Sequence, residues 1–467
     1  MPMNQTNHKL IRKNIFSNSY QFLFILMMAL SANAIATCHI PDDLEKPLDK
    51  ANKQACLAEA DFLLPKPNIS STEIIAGPNL KTPSFNYQQT IFCRYFYRFQ
   101  NGSSNKFRCY RTDENNHLMS SKGQVIANAK NVIISNDDED GVLADENGKV
   151  ILSAEGKKIK PDILKVRFQD SNPVSARRNR EGFASTVATR MAWSMGIPSE
   201  ISYPTKAVVC FGCQADPWKK GQAQQQPANE TNTFAYAAIE RKFDGKRVMK
   251  SYDSPDKKVQ NTPWKWTDFV ANWGRLSSTQ KMDYQVLALF ANFLQIVEER
   301  GSQHMMVCEK ENVTDDKVCL KPVAAIHDMG AAFGNRDRSL IDPETKNHPR
   351  GDLTTYKLVH VFNDSSCTLN LPAGGLKSIS EAARQEFVVR AKSLTRETVQ
   401  SLVTISWMNK MDQPLRAKLN KRSGFLGFGK KKSESQIDDL LINEWTNSIM
   451  EKLEQIRSAH CPQSEGL

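Results

Sequence analysis

Ten cysteines set the first constraint on this chain. They fall at Cys38, Cys56, Cys93, Cys109, Cys210, Cys213, Cys308, Cys319, Cys367 and Cys461, all after an apolar leader. In that leader Lys9, Arg12 and Lys13 flank YQFLFILMMAL (20–30), and SANAIA follows. A basic flank, a short apolar run and small residues describe an export signal over residues 1–36, cleaved after Ala34 or Ala36. The run is too short to span a bilayer comfortably, and no later run is long and apolar enough, so no transmembrane segment is expected after cleavage. An even number of thiols in an exported chain predicts disulfides, with the connectivity left open. The expected location is periplasmic or secreted. A lipoprotein is the second choice, because Thr37 before Cys38 fits a lipid-attachment box poorly.

The 467 residues are 40% hydrophobic, enough for two or three compact domains and too apolar for global disorder. The 62 basic residues fall to 59 once the leader's three are removed, against 51 acidic, for a net charge of +8. Such a surface favours anionic partners without choosing among phosphates, nucleic acid and membrane headgroups.

Residues 37–150 read as a separate mixed α/β region that holds cysteines. A short helix lies in KPLDKANKQACLAEADFLL, with Leu57, Phe62 and Leu63 inward. IFCRYFYRF (91–99) and KFRCYRT (106–112) read as paired strands that Cys93 and Cys109 could cross-link. The run Asp137–Asp140 reads as a solvated acidic turn. It has oxygen ligands for a cation but not the spacing of a calcium loop. KPDILKVRFQD is the next strand. REGFASTVATRMAWSMGIP is a helix with Phe183, Val187, Met191 and Met195 on one face, stopped at Gly196 and Pro198. Strands follow at 207–213 and 233–243, and a buried helix at 279–295. Helices are also expected over about 378–408. Residues 416–434 read as a basic linker. Its stretch 416–432, RAKLNKRSGFLGFGKKK, interleaves cations with aromatics and could meet an anionic surface. From 435 to 467 an amphipathic helix is expected, capped by Ser435 and Asp438. Its stripe is Ile437, Leu441, Trp445, Ile449, Leu453 and Ile456.

The candidate chemistry follows in order along the chain. Lys165 and Arg167 are two apart on a strand and so share a face. Glu181 opens the next helix. Glu298 and Gln303 stand five apart with Arg300 between them, and Asp328 heads DMGAAFG after the apolar VAAI. Phosphoryl transfer of the kinase type needs a strand cation held by a helix carboxylate. It also needs a loop carboxylate followed by a metal-binding amide, and a second carboxylate for metal. Cys210-Phe211-Gly212-Cys213 supports three readings: a structural disulfide, a redox pair, or a zinc site shared with Cys308 and Cys319. No G-x-S-x-G, H-E-x-x-H or G-x-x-x-x-G-K-[ST] occurs, which argues against serine hydrolases, zincins and P-loop enzymes.

The stretches LKVRF, EGFASTVATRMAWSMGI, VVCFGC, AAIERKF, ANFLQIVEERGSQHMMVC and AAIHDMGAAFG, in that order, resemble a group of exported bacterial proteins of atypical kinase-like fold. That group is distantly similar to phosphoinositide-kinase-like and toxin-kinase (HipA-like) enzymes. The resemblance covers about 160–335. It implies an α+β fold in which the mixed N-terminal region precedes a two-lobed kinase-like core, 151–415, with a mainly helical C-terminal part. The N-lobe is expected at about 151–245 and the C-lobe at about 262–415. It also implies ATP with Mg²⁺ or Mn²⁺ as cofactors. Asp328 and Gln303 would bind metal, Glu298 would hold the base position beside Arg300, and Lys165 or Arg167 with Glu181 would hold phosphates. The family patterns W-K-V-K and N-H-W-D-x-K-x-x-N-Q-R-L-V-C become Leu164–Arg167 and Gln295–Cys308 here. Asp is thus replaced by Glu298, Asn by Gln303 and Lys by Arg167, while Asp328 is retained. The expected function is an exported nucleotide- or phosphate-binding protein, or a degenerate phosphotransferase. The alternatives are a non-catalytic interaction scaffold with an unidentified protein partner and a thiol or zinc protein.

Overall fold

The structure is a computed structural model. It describes residues 37–463 except 43–47, 79–83, 98–104, 136–137, 169–179, 218–229, 242, 244, 250–263, 297–303, 328, 334–352, 364, 371–375, 412–414, 417–418 and 420–431. The fold is α+β, with a barrel and a largely helical half.

The barrel uses β1 (Thr90–Tyr95), β2 (Lys106–Thr112), β5 (Ile163–Arg167), β6 (Ile201–Phe211) and β7 (Thr231–Arg241), closed in the order β1-β2-β5-β7-β6. All pairings are antiparallel except β1 with β6, which run parallel from Thr90↔Ala207 to Arg94↔Phe211. Closure removes the open edges that a five-stranded sheet would otherwise present. Strand alternation sends Leu164 and Val166 inward, to pack with Phe107, Phe168 and Phe234, and leaves Lys165 and Arg167 on the outer face. Cys93–Cys109 links β1 to β2, as their pairing suggested, and Cys210–Cys213 closes the end of β6. Because β1 and β2 complete this barrel, residue 150 is not a boundary of the sheet.

An insertion between β2 and β5 carries the hairpin of β3 (Asn131–Ser135) and β4 (Asp138–Ala144) over a small core of Tyr110, Leu118, Ala129 and Leu143. The acidic run expected as a turn enters a strand, since β4 begins at Asp138. No grouping of His, Cys, Asp or Glu able to hold a metal occurs among the described residues. The insertion repeats one local device that the sequence reading missed. In each copy an Asp or Ser side chain accepts the N–H four residues on, and the residue before that donor turns left-handed. The four donor–acceptor pairs are His117 to Asp113, Gln124 to Ser120, Lys149 to Asp145 and Lys157 to Ser153. Asn116, Gly123, Gly148 and Gly156 take the positive φ. A fifth copy, Val318 to Thr314 with Lys317 left-handed, shapes the loop that Cys308–Cys319 closes.

The helical half contains α1 (Lys50–Ala58), α2 (Ser71–Ala76), α3 (Arg180–Ser194), α4 (Trp266–Ala271), α5 (Ser278–Leu294), α6 (Leu353–Leu358), α7 (Glu381–Arg390), α8 (Arg396–Ile405) and α9 (Glu434–Ser458). A sheet ordered β10 (Pro322–Ile326), β9 (His304–Cys308), β8 (Lys246–Met249) lies with them. Ser277 and Gln280 form a reciprocal cap on α5, whose residues from Tyr284 to Leu294 are all buried. Phe62 packs edge-on against Phe269 and Tyr284, so the segment near α1 joins this core instead of forming a domain with β1 and β2. The expected stripe of α9 is fully buried. Its cap, however, is Ser433 with Gln436, not Ser435 with Asp438, because Asp438 instead bonds Lys410 at 2.7 Å and Arg416. Arg416 is therefore anchored, although it was expected to open a solvated basic linker; 420–431 lie outside the described residues. Cys367–Cys461 ties the end of α9 back across a separation of 94 residues. A closed loop of that size is worth about 4–5 kcal/mol in the chain-entropy account.

Candidate functional site

Beneath α3, the outer face of β5 carries a buried ionic cluster. Arg167 is fully buried. Its Nε donates to Glu240 of β7 and its Nη1 donates to Glu181 in the first turn of α3. Lys165, two residues back on the same face, sits 2.5 Å from Glu240, its partner across the ladder. The shared face and the partnership with Glu181 match the sequence expectation. Glu240 was missed, although a lone carboxylate within the apolar run AAIERKF was a signal that it needs a cation. Among the described residues two cations face two carboxylates here. Removing one member of such a set strands a buried charge at a cost of about 3–5 kcal/mol. Lys165 keeps 14% of its side chain exposed against none for Arg167, so a ligand arriving from solvent meets Lys165 first.

α3 then connects this cluster to the sheet of β9 and β10. Its hydroxyls form a buried polar layer with β6: Ser185 bonds Ser202 at 3.2 Å, and the Ser202 amide donates to Thr189 at 3.1 Å. The same helix packs on the 3-10 turn Met329–Ala331 that follows β10. Just before that turn, His327 is paired to Glu200 at 2.5 Å, where a parallel bridge joins Ser199 to Ile326. His304 opens β9 in register with Ile326, and its ring lies 3.9 Å from that of Trp264. The described residues on either side of the two candidate loops therefore meet at one end of this sheet. Glu298, Arg300, Gln303 and Asp328 themselves lie outside the described residues.

The cysteines favour the disulfide reading among the three expected for the C-x-x-C. Cys210 bonds Cys213 and Cys308 bonds Cys319, in separate parts of the fold, so no set of four thiolates is available. All ten cysteines are paired, and Cys210 and Cys213 are wholly buried in their disulfide form.

Comparison of the sequence with protein-family models and with curated proteins finds no match. Among solved structures the chain is similar to the crystal structure of a Helicobacter pylori proinflammatory kinase, CtkA. The TM-score is 0.36 and the identity 9%, over 79% of this chain and 97% of that one. A likeness at that level transfers neither fold nor activity, so the functional reading rests on this chain's own residues.

Proposed function

We propose that this chain is an exported, disulfide-stabilised protein on a kinase-like scaffold, and that it binds a nucleotide through its phosphates with little phosphoryl transfer. The observation that carries the reading is the Arg167–Glu181 pair, a strand cation held by a carboxylate from the following helix. Kinase-type sites align their phosphate-holding cation in this way. ATP with Mg²⁺ or Mn²⁺ is the proposed ligand. The divalent ion would neutralise phosphate charge, with Asp328 and Gln303 as its ligands and Glu298 beside Arg300 at the base position. Lys165 would meet the phosphates, with Arg167 behind it.

Weak chemistry follows from the substitutions. Glu298 and Gln303 each stand one methylene, about 1.5 Å, beyond the Asp and Asn of the pattern. A misplacement of about 1 Å can lower a rate about 100-fold. Arg167 offers a planar fork where a Lys would offer a mobile point charge, and both of its carboxylate bonds limit its reach. Export adds a shortage of ATP. The leader and five disulfides together favour an oxidising compartment, periplasmic or outside the cell. The proposed N-lobe takes in β1 and β2 as well as 151–245.

The double carboxylate grip on Arg167 favours a second reading. In it the cluster only braces α3, and the protein is an interaction scaffold whose basic stretch 416–432 meets an anionic surface or protein partner. Thermal unfolding of the mature protein with and without ATP and Mg²⁺ or Mn²⁺ separates the two. A site filled at 100 times its dissociation constant adds about 2.7 kcal/mol, and Asp328→Ala should abolish the shift. No shift at millimolar nucleotide would move the assignment to the scaffold.

A further inference from the structure

A second buried arginine stands apart from the cluster described above. Arg190, in the third turn of α3, is fully buried, and its Nε and Nη1 find no acceptor among the described residues. One face of its guanidinium lies 4.6 Å from the ring centroid of Tyr203 on β6. The group also lies hard against Gly77, where a Cβ would run into Nη1, and Gly77 holds a φ of +86° at the end of α2. The nearby Pro78 carbonyl is already taken by the Tyr203 hydroxyl, at 2.7 Å.

The charge around this spot is unbalanced. Phe85 packs on Tyr203, with ring centroids 5.8 Å apart, and Arg111 and Arg241 both lie over Phe85. Asp162, 1% exposed, bonds Arg241 through both carboxylate oxygens and lies 3.5 Å from Arg111. Among the described residues no carboxylate reaches Arg190. Burial pulls its pKa down to about 10, with the Tyr203 phenol opposing, so it still carries its charge at neutral pH. A desolvated cation–π contact offsets only part of the cost of an unpaired buried ion. The contact with Tyr203 alone leaves a deficit that a bound anion would remove.

We propose that Arg190 is the receptor of an oxyanion site at this end of the barrel, and that its ligand is a phosphate group. Gly77 and Tyr203 hold the guanidinium plane, and the Nε–H, which has no acceptor among the described residues, donates to a phosphate oxygen. Phosphate is preferred to a carboxylate because, among the described residues, Arg190, Arg111 and Arg241 lie about the packed Tyr203–Phe85 rings with one carboxylate, Asp162, which pairs only with the last two, and that excess suits a dianion. The site is separate from the proposed nucleotide site, and neither reading depends on the other.

The test is binding of inorganic phosphate to the full mature chain, with chelator present and ionic strength fixed, by equilibrium dialysis and by thermal unfolding. We expect one phosphate bound per chain and a rise in melting temperature. Arg190→Met should lose both effects, and Arg190→Lys, which keeps the charge without the planar group, should weaken binding about tenfold or more. Absence of stoichiometric binding to the wild-type protein overturns the proposal, and so does equal binding by wild type and a folded Arg190 variant. Should Arg190→Met fail to fold, the dialysis result for wild type and Arg190→Lys decides. Retention of signal by phosphoserine or glycerol phosphate would identify a phosphomonoester as ligand, and its loss would restrict the site to the free ion.

Discussion

Arg167, packed under α3, and Arg190, a residue of α3, are both fully buried, yet their surroundings are opposite. Arg167 meets Glu181 and Glu240, with Lys165 sharing the second. Arg190 meets an aromatic face and a glycine. A guanidinium cannot shed its proton to escape burial, so a protein must supply a counter-charge from its own chain or from solution. The first region does the former, which fixes α3 to the barrel wall. The second has the form expected where the counter-charge is a ligand. Burial alone therefore does not distinguish a structural cation from a receptor, but the inventory of its partners does.

Substitution to methionine should separate the two most clearly. Arg167→Met strands Glu181 and Glu240 in a buried setting and should lose about 3–5 kcal/mol in urea unfolding. A loss under about 1 kcal/mol would mean that the carboxylates find other partners or water, and that the cluster does not brace the fold. Arg190→Met removes a charge that has no carboxylate partner among the described residues and strands none there. In phosphate-free buffer it should therefore change stability by no more than about 1 kcal/mol, and in the stabilising direction. A large loss there would show that the contact with Tyr203 already balances the charge, and the two arginines would then belong to one class.

How much of this contrast was legible in the sequence depended on whether the signal was local. The two-residue spacing of Lys165 and Arg167 placed them on one face, and α3, α5 and the stripe of α9 followed from periodicity. Closure of the barrel did not follow. The parallel pairing of β1 with β6 joins residues more than 100 positions apart, and nothing in either strand encodes its partner. Glu240 and Arg190 were missed for the same reason, since each acquires its meaning only across the sheet or between helices. The cap of α9 was a nearer miss. Ser433 and Gln436 carry the reciprocal spacing, but the acidic Asp438 drew the assignment two residues too far.

A third charged group sharpens the comparison because it can neutralise itself. Asp283 on α5 is pushed up to about 6 from an ordinary 3.8, chiefly by burial. Glu386 and Asp61 add to the rise, and Arg390 opposes it. Arg390 is itself engaged with Glu386 at 2.7 Å, which limits what it can offer Asp283. The folded state thus holds a proton that the unfolded chain has released between about pH 4 and pH 6. Stability from this group is present below that window and falls as pH rises through it. Asp283→Asn should remove the dependence and raise stability at pH 7 by about 1 kcal/mol. This figure is well below the full shift at 1.36 kcal/mol per pH unit, because the carboxylate is only partly buried and solvent screens it. Near pH 4 the variant and the wild type should unfold together. A gain that is the same at pH 4 and pH 7 would assign the effect to packing. No gain at either pH would mean that Arg390 already satisfies Asp283, as Glu181 and Glu240 satisfy Arg167.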